Sequence, residues 1–105
     1  MDISLERLDE TIQRQVFVET EDFTTGEPEY IIGRAQDCDL QVASRFVSRH
    51  HCELIVDRRA HIVRVRDLGS QNGTYVNEGP VINDRELHDG DKLIVGCIPF
   101  EIHIR

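Results

Sequence analysis

Three short runs of this chain hold side chains suited to gripping a phosphate ester and the peptide that carries it. They are Gly33-Arg34, then Ser48-Arg49-His50-His51, then Gly69-Ser70-Gln71-Asn72-Gly73-Thr74-Tyr75-Val76-Asn77. Arg34 supplies a planar guanidinium that keeps its charge and can give two parallel bonds to phosphate oxygens. Ser48 offers a hydroxyl donor. Asn72 offers a carboxamide with donors and an acceptor, able to pair with the main chain of an extended peptide. The same residue types also have ordinary duties: a surface salt bridge, a serine turn or cap, an Asn-Gly reversal. Taken singly, each run leaves both readings open. All three stand at the ends of apolar segments, where loops belong.

The segments that must position them have strand character. Tyr30-Ile31-Ile32 enters Gly33-Arg34 as a buried strand reaching a turn. Cys52 to Val56, Ile62 to Arg66, Thr74 to Val76, Lys92 to Val95 and Phe100 to Ile104 are further strand-length runs. Between them lie the turn formers Asp57-Arg58-Arg59, Gly69 to Gly73, Glu78-Gly79-Pro80 and His88-Asp89-Gly90-Asp91. Near the start, Ile3 to Leu8 partly alternates, Asp9-Glu10-Thr11 reads as a connection and Gln15 to Glu19 as a second strand. A hairpin is the simplest assignment there. A short helix through Leu5, Leu8 and Ile12 has the spacing but no clear cap. Phe23 to Pro28 carries loop punctuation. Many short strands with no long helical period predict an all-β fold, an antiparallel sandwich or barrel. Periodicity alone does not choose between the two.

A chain of 105 residues fits one domain, expected over 1–105 with its core from about residue 3 to 104. Hydrophobic residues make up 39% and charged residues 30%, and no apolar run approaches the roughly 20 residues that span a bilayer. Met1 to Arg7 lacks the basic start and apolar stretch of a secretory signal, so a cytoplasmic location is expected. Cys38, Cys52 and Cys97 are odd in number and far apart in sequence, which predicts free, reduced thiols. A formal net charge of −8 argues against a general nucleic-acid binder. The acids from Asp2 to Glu29 face only Arg7 and Arg14, so residues 1–30 form acidic first strands and a loop ahead of a nearly neutral remainder.

In their order the three runs resemble the forkhead-associated (FHA) domain, a phosphothreonine-binding β-sandwich. The resemblance extends from about Ile3 to Ile104, and it selects a sandwich with the binding loops gathered at one end. It implies that Arg34, Ser48, Arg49, Gln71 and Asn72 contact a phosphopeptide, while Gly33, His51, Gly73 and Asn77 support the loops. His51 then ties the binding loop to the sandwich by hydrogen bonding, and His50 occupies a variable, exposed position. Gln71 stands where the family commonly has threonine, which bears on peptide selectivity more than on phosphate binding. Asn77, Gly79 and Leu87 to Leu93 match as scaffold. The implied partner is a threonine-phosphorylated protein or peptide, with no nucleic acid and no membrane, and a monomer is expected. The contrasting reading is a phosphate-independent interaction domain of a larger signalling protein.

Other chemistries fit less well. His50, His51 and Cys52 are metal-ligand types, yet neighbours on a strand point to opposite faces. Asp89 and Asp91 flank Gly90 without the ligand spacing of a calcium loop. Ser48, His51 and Asp67 supply the types of a hydrolytic triad, but there is no Gly-x-Ser-x-Gly elbow, P-loop or dinucleotide fingerprint. A non-enzymatic module without metal or cofactor is expected.

Overall fold

A computed structural model describes residues 2–9 and 29–105. Alternation of side chains builds its elements. In β1 (Ile3–Arg7) the residues Ile3 and Leu5 turn inward while Ser4 and Glu6 turn outward; in β10 (Ile98–Ile104), Ile98, Phe100 and Ile102 are the inward set. The two strands pair antiparallel, Ile3 opposite Ile104 and Arg7 opposite Phe100. β10 continues through a tight reversal to β9 (Lys92–Val95), which pairs with β6 (Thr74–Val76) and so with β7 (Gly79–Pro80). The first sheet is thus β1-β10-β9-β6-β7.

The second sheet is formed by β2 (Glu29–Gly33), β3 (Leu40–Gln41), β4 (Cys52–Asp57), β5 (Ile62–Asp67) and β8 (Asp84–Leu87), in the order β3-β2-β4-β5-β8. Val63 and Val65 of β5 point inward and Arg64 and Arg66 outward. Leu54 and Val56 of β4 meet Ile32, Leu93, Phe100 and Ile102 in one apolar layer between the sheets. Two sheets closed over a common core form the sandwich rather than the barrel. Among the described residues there is no helix, and so none long and apolar enough to cross a membrane.

Two features depart from the sequence-based expectation. β2 and β3 run parallel, Ile32 beside Leu40, so the second sheet is mixed. The reversal expected at Glu78-Gly79-Pro80 sits one step earlier: Asn77 and Glu78 have φ of 48° and 73°, and Gly79 pairs with Val76. That is a two-residue hairpin loop with both central residues left-handed, the geometry that matches strand twist. Asn77 holds it, donating through Nδ2 to Asp91 at 2.9 Å and accepting from the Lys92 N–H at 3.0 Å. The described partner of β1 is the last strand. Gln15 to Glu19, the other arm of the expected hairpin, lies outside the described residues, as does the Phe23 to Pro28 loop. Residues Ile3 to Arg7 are strand, not the start of a helix.

All three cysteines are free. Cys52 is fully buried, and burial pushes its thiol pKa well above the ordinary range.

Candidate functional site

Arg34 extends from the end of β2, and its backbone is fixed to the β3–β4 loop. The Arg34 N–H donates to the Ser48 carbonyl at 3.0 Å, and the Ala35 N–H to the Arg49 carbonyl at 3.1 Å. Gly33 permits this approach, because a Cβ there would stand 2.2 Å from the Arg49 carbonyl oxygen. The Arg34 Nε–H donates to the Val47 carbonyl at 3.1 Å. One edge of the guanidinium is thereby anchored, and among the described residues both terminal nitrogens of this exposed side chain are left to serve as a fork.

Ser48 sits opposite. Its Oγ accepts from the Gln71 main-chain N–H at 3.1 Å, so the hydroxyl proton is left to donate elsewhere. Asn72 donates through Nδ2 to the Phe46 carbonyl at 2.8 Å. Its carboxamide oxygen and second N–H remain available by valence. These bonds bridge the β3–β4 loop and the β5–β6 loop, which sequence separates by more than twenty positions. An open cleft of about 430 Å³ lies between them, lined by Arg34, Ser48, Arg49, Gln71 and Asn72 among others.

His51 lies beneath the cleft with no exposed surface. Its Nδ1 accepts from the Ser48 N–H at 3.0 Å, and its Nε2 lies 2.7 Å from the Gly73 carbonyl. A main-chain N–H can only donate and a carbonyl only accept, so Nε2 carries the ring proton. Both ring nitrogens are engaged by main chain, which leaves no base facing the Ser48 hydroxyl; the triad arrangement is not formed. Gly73, with φ of 86°, turns its carbonyl toward both His51 and the Gly96 N–H. His50 is exposed and pairs with Asp37 at 2.9 Å, holding that carboxyl below its ordinary pKa. It does not converge with His51. Asn77 lies at the far end of β6, away from the cleft.

Sequence reasoning undervalued Asp67. Its Oδ2 accepts from the Gly69 and Ser70 main-chain N–H groups at 3.0 Å each, and its Oδ1 from the hydroxyls of Ser70 and Thr74. One carboxylate therefore shapes the loop that bears Gln71 and Asn72. An aspartate two and three residues before Gly-Ser is an Asx-turn pattern, and that was the available signal. Burial pushes the Asp67 carboxyl up, but the Ser70 and Thr74 donors outweigh it and hold the pKa below its ordinary value. The folded value lies below the unfolded one. The stabilisation is therefore present above the unfolded pKa and lost as pH falls through the folded one. Acidification below about pH 4 should thus lower the melting temperature more for the parent than for Asp67→Asn, which itself should melt lower at neutral pH. Parallel melting curves for the two proteins from pH 7 to pH 3 check this, and parallel losses would refute it. Phe46 and Leu68 add exposed apolar walls to the cleft, and Arg45 stacks on the Phe46 ring at 5.0 Å.

The FHA domain family model matches residues 30–96. The FHA domain-containing protein FhaA of Mycobacterium tuberculosis is 41% identical over 66 residues, covering 63% of this chain and 12% of that protein. The glycogen accumulation regulator GarA of Mycolicibacterium smegmatis is 36% identical over 74 residues, covering 70% of this chain and 45% of the relative. The chain thus spans less than half the length of these relatives. A solved structure from an analysis of phosphothreonine-dependent FHA domain interactions superimposes with a TM-score of 0.83 at 28% identity, covering 100% of this chain and 98% of that one. The matched stretch includes Arg34, both cleft loops and Asp67, and the chain belongs to the FHA domain family.

Proposed function

We propose that this chain is a non-enzymatic signalling module that binds a phosphothreonine peptide of a partner protein in the cleft between the β3–β4 and β5–β6 loops. The observation that carries this reading is the convergence of Arg34, Ser48, Arg49, Gln71 and Asn72 on one open cleft. A phosphothreonine brings about −1.5 to −2 charge and strong acceptor oxygens. Arg34 offers its terminal fork to two of those oxygens and Ser48 its hydroxyl to a third. Arg49 adds a second cation at the rim. Asn72 and Gln71 offer carboxamides to the peptide main chain from the β5–β6 loop. In a chain of net charge −8 this cluster of arginines is a local positive focus that favours a dianion over other acidic groups. Titration with a phosphothreonine peptide and its unphosphorylated twin tests the reading. Equal binding of both would replace it with a phosphate-independent interaction domain.

Asn72→Ala is expected to weaken the phosphopeptide by about 1–3 kcal/mol while keeping the dependence on phosphate. The loss combines bonds to the peptide main chain with the bond to the Phe46 carbonyl that steadies the opposite loop. Calorimetric titration of the variant against both peptides measures it, and parent-like affinity would remove Asn72 from the contact set.

Phosphothreonine should bind more tightly than phosphoserine, although charge and acceptor oxygens are the same. The difference is one methyl group, worth about 0.8 kcal/mol on burial, and a β-branched side chain that loses less rotamer freedom. Val47 and, from the Gly69 to Asn72 loop, Gln71 and Asn72 line the cleft and are the walls available to that methyl. A severalfold to tenfold preference is expected. Equal affinities for two peptides differing only in that methyl would show a site that reads phosphate alone.

A further inference from the structure

On the outer face of the first sheet, away from the cleft, Glu6 of β1 stands directly opposite Glu101 of β10. Two carboxylates in that position repel each other across the strands. His103 lies two residues along β10 on the same face, and its Nε2 is 3.2 Å from Glu6 Oε1 and 3.3 Å from Glu101 Oε2. An imidazole nitrogen carries one proton and can direct it at one oxygen, and only the Glu6 contact has hydrogen-bond geometry. Both distances exceed the 2.7–2.9 Å or so of charge-assisted N–H···O bonds.

The same spacing also fits a shared cation. Each residue contributes one donor atom, and the three atoms lie within 4.8 Å of one another. Metal bonds of about 2.0–2.2 Å to imidazole nitrogen and carboxylate oxygen place tetrahedral ligands roughly 3.3–3.6 Å apart, near the spacing His103 keeps to each carboxylate. We propose that Glu6, Glu101 and His103 form a binding site for a divalent transition metal of the zinc class, clipping the first strand to the last. One imidazole with two carboxylates selects zinc, manganese, cobalt or copper(II) over the oxygen-only preference of magnesium and calcium. All three side chains are partly exposed, between 27% and 41%, so an ion has access and water completes the coordination. The ligands sit on paired strands whose register is fixed by the backbone ladder, which limits the reorganisation needed on binding. The other donor cluster among the described residues, Asp37, Cys38 and His50, is different. His50 there meets both Asp37 oxygens at 2.9 and 3.1 Å, ordinary hydrogen-bond distances, and the Cys38 thiol donates to the Arg49 carbonyl.

Calorimetric titration of the untagged protein with zinc chloride, with cobalt(II) absorbance as a second probe, tests the site. One saturable equivalent is expected, with a rise in melting temperature because the ion binds the folded chain. Glu101→Gln and His103→Gln should weaken that event at least about tenfold, whereas His50→Gln should leave it unchanged. Glu101→Gln without metal should melt no lower than the parent, because it removes a like-charge opposition; this separates a lost ligand from a lost fold. Absence of saturable binding overturns the proposal. So does binding that survives His103→Gln or disappears in His50→Gln.

Discussion

Arg34→Ala is expected to abolish detectable phosphopeptide binding while the protein melts as the parent does. The guanidinium fork can give two charge-assisted bonds to phosphate oxygens, each worth roughly 1.5–3 kcal/mol. Losing both costs two to four orders of magnitude in affinity, at about 1.4 kcal/mol per decade. The folded chain asks little of the same side chain. It is exposed, and among the described residues its one side-chain hydrogen bond is the Nε contact with the Val47 carbonyl, worth about 1 kcal/mol or less. The loop junction depends on the Arg34 main-chain N–H, which alanine keeps. Arg34→Lys should fall between the two, retaining charge but not the planar fork. Calorimetric titration paired with a thermal melt decides the matter. Unchanged affinity in a normally melting Arg34→Ala protein would remove Arg34 from the site.

His51→Ala should do the reverse, with a large loss of stability and weaker binding only as its consequence. The ring is fully buried and holds two main-chain groups from different loops, the Ser48 N–H and the Gly73 carbonyl. Alanine leaves a cavity and strands the Ser48 donor, for a combined cost of about 3–5 kcal/mol. In a domain of this size that corresponds to a fall in melting temperature of roughly 15–30 °C. Binding measured well below the melt should be nearly restored per folded molecule. A variant that melts like the parent yet cannot bind would make His51 a ligand contact rather than a brace.

Much of this was legible because strands announce themselves when one face is buried. Ile62 to Arg66 alternates since Val63 and Val65 enter the core, and Lys92 to Val95 was read with its bounds. β3 and β7 have only two residues each and no period to detect, and β3 is strand only because the end of β2 lies beside it. β8, Asp-Arg-Glu-Leu, is polar for an edge strand; it is registered against β5 so that Arg66 faces Asp84 and Arg64 faces Glu86, a tertiary fact no local pattern encodes. At the cleft, the charged and amide residues were legible by type and order. Phe46, Leu68 and Arg45 were not, because an apolar or basic side chain in a loop carries no mark of which cleft it will line. The Glu6, Glu101 and His103 cluster depends on pairing between the two ends of the chain, a register invisible before folding.

The main-chain bonds from Arg34 and Ala35 to Ser48 and Arg49, together with the contact that only a glycine at position 33 allows, have a kinetic consequence. If these loops hold the phosphate as proposed, both sides of the site are already joined through the main chain, and docking requires no folding step of the loops. Association rates should then vary little from peptide to peptide and respond chiefly to ionic strength, through the exposed arginines. Discrimination among phosphorylated partners would be expressed in how long each one stays.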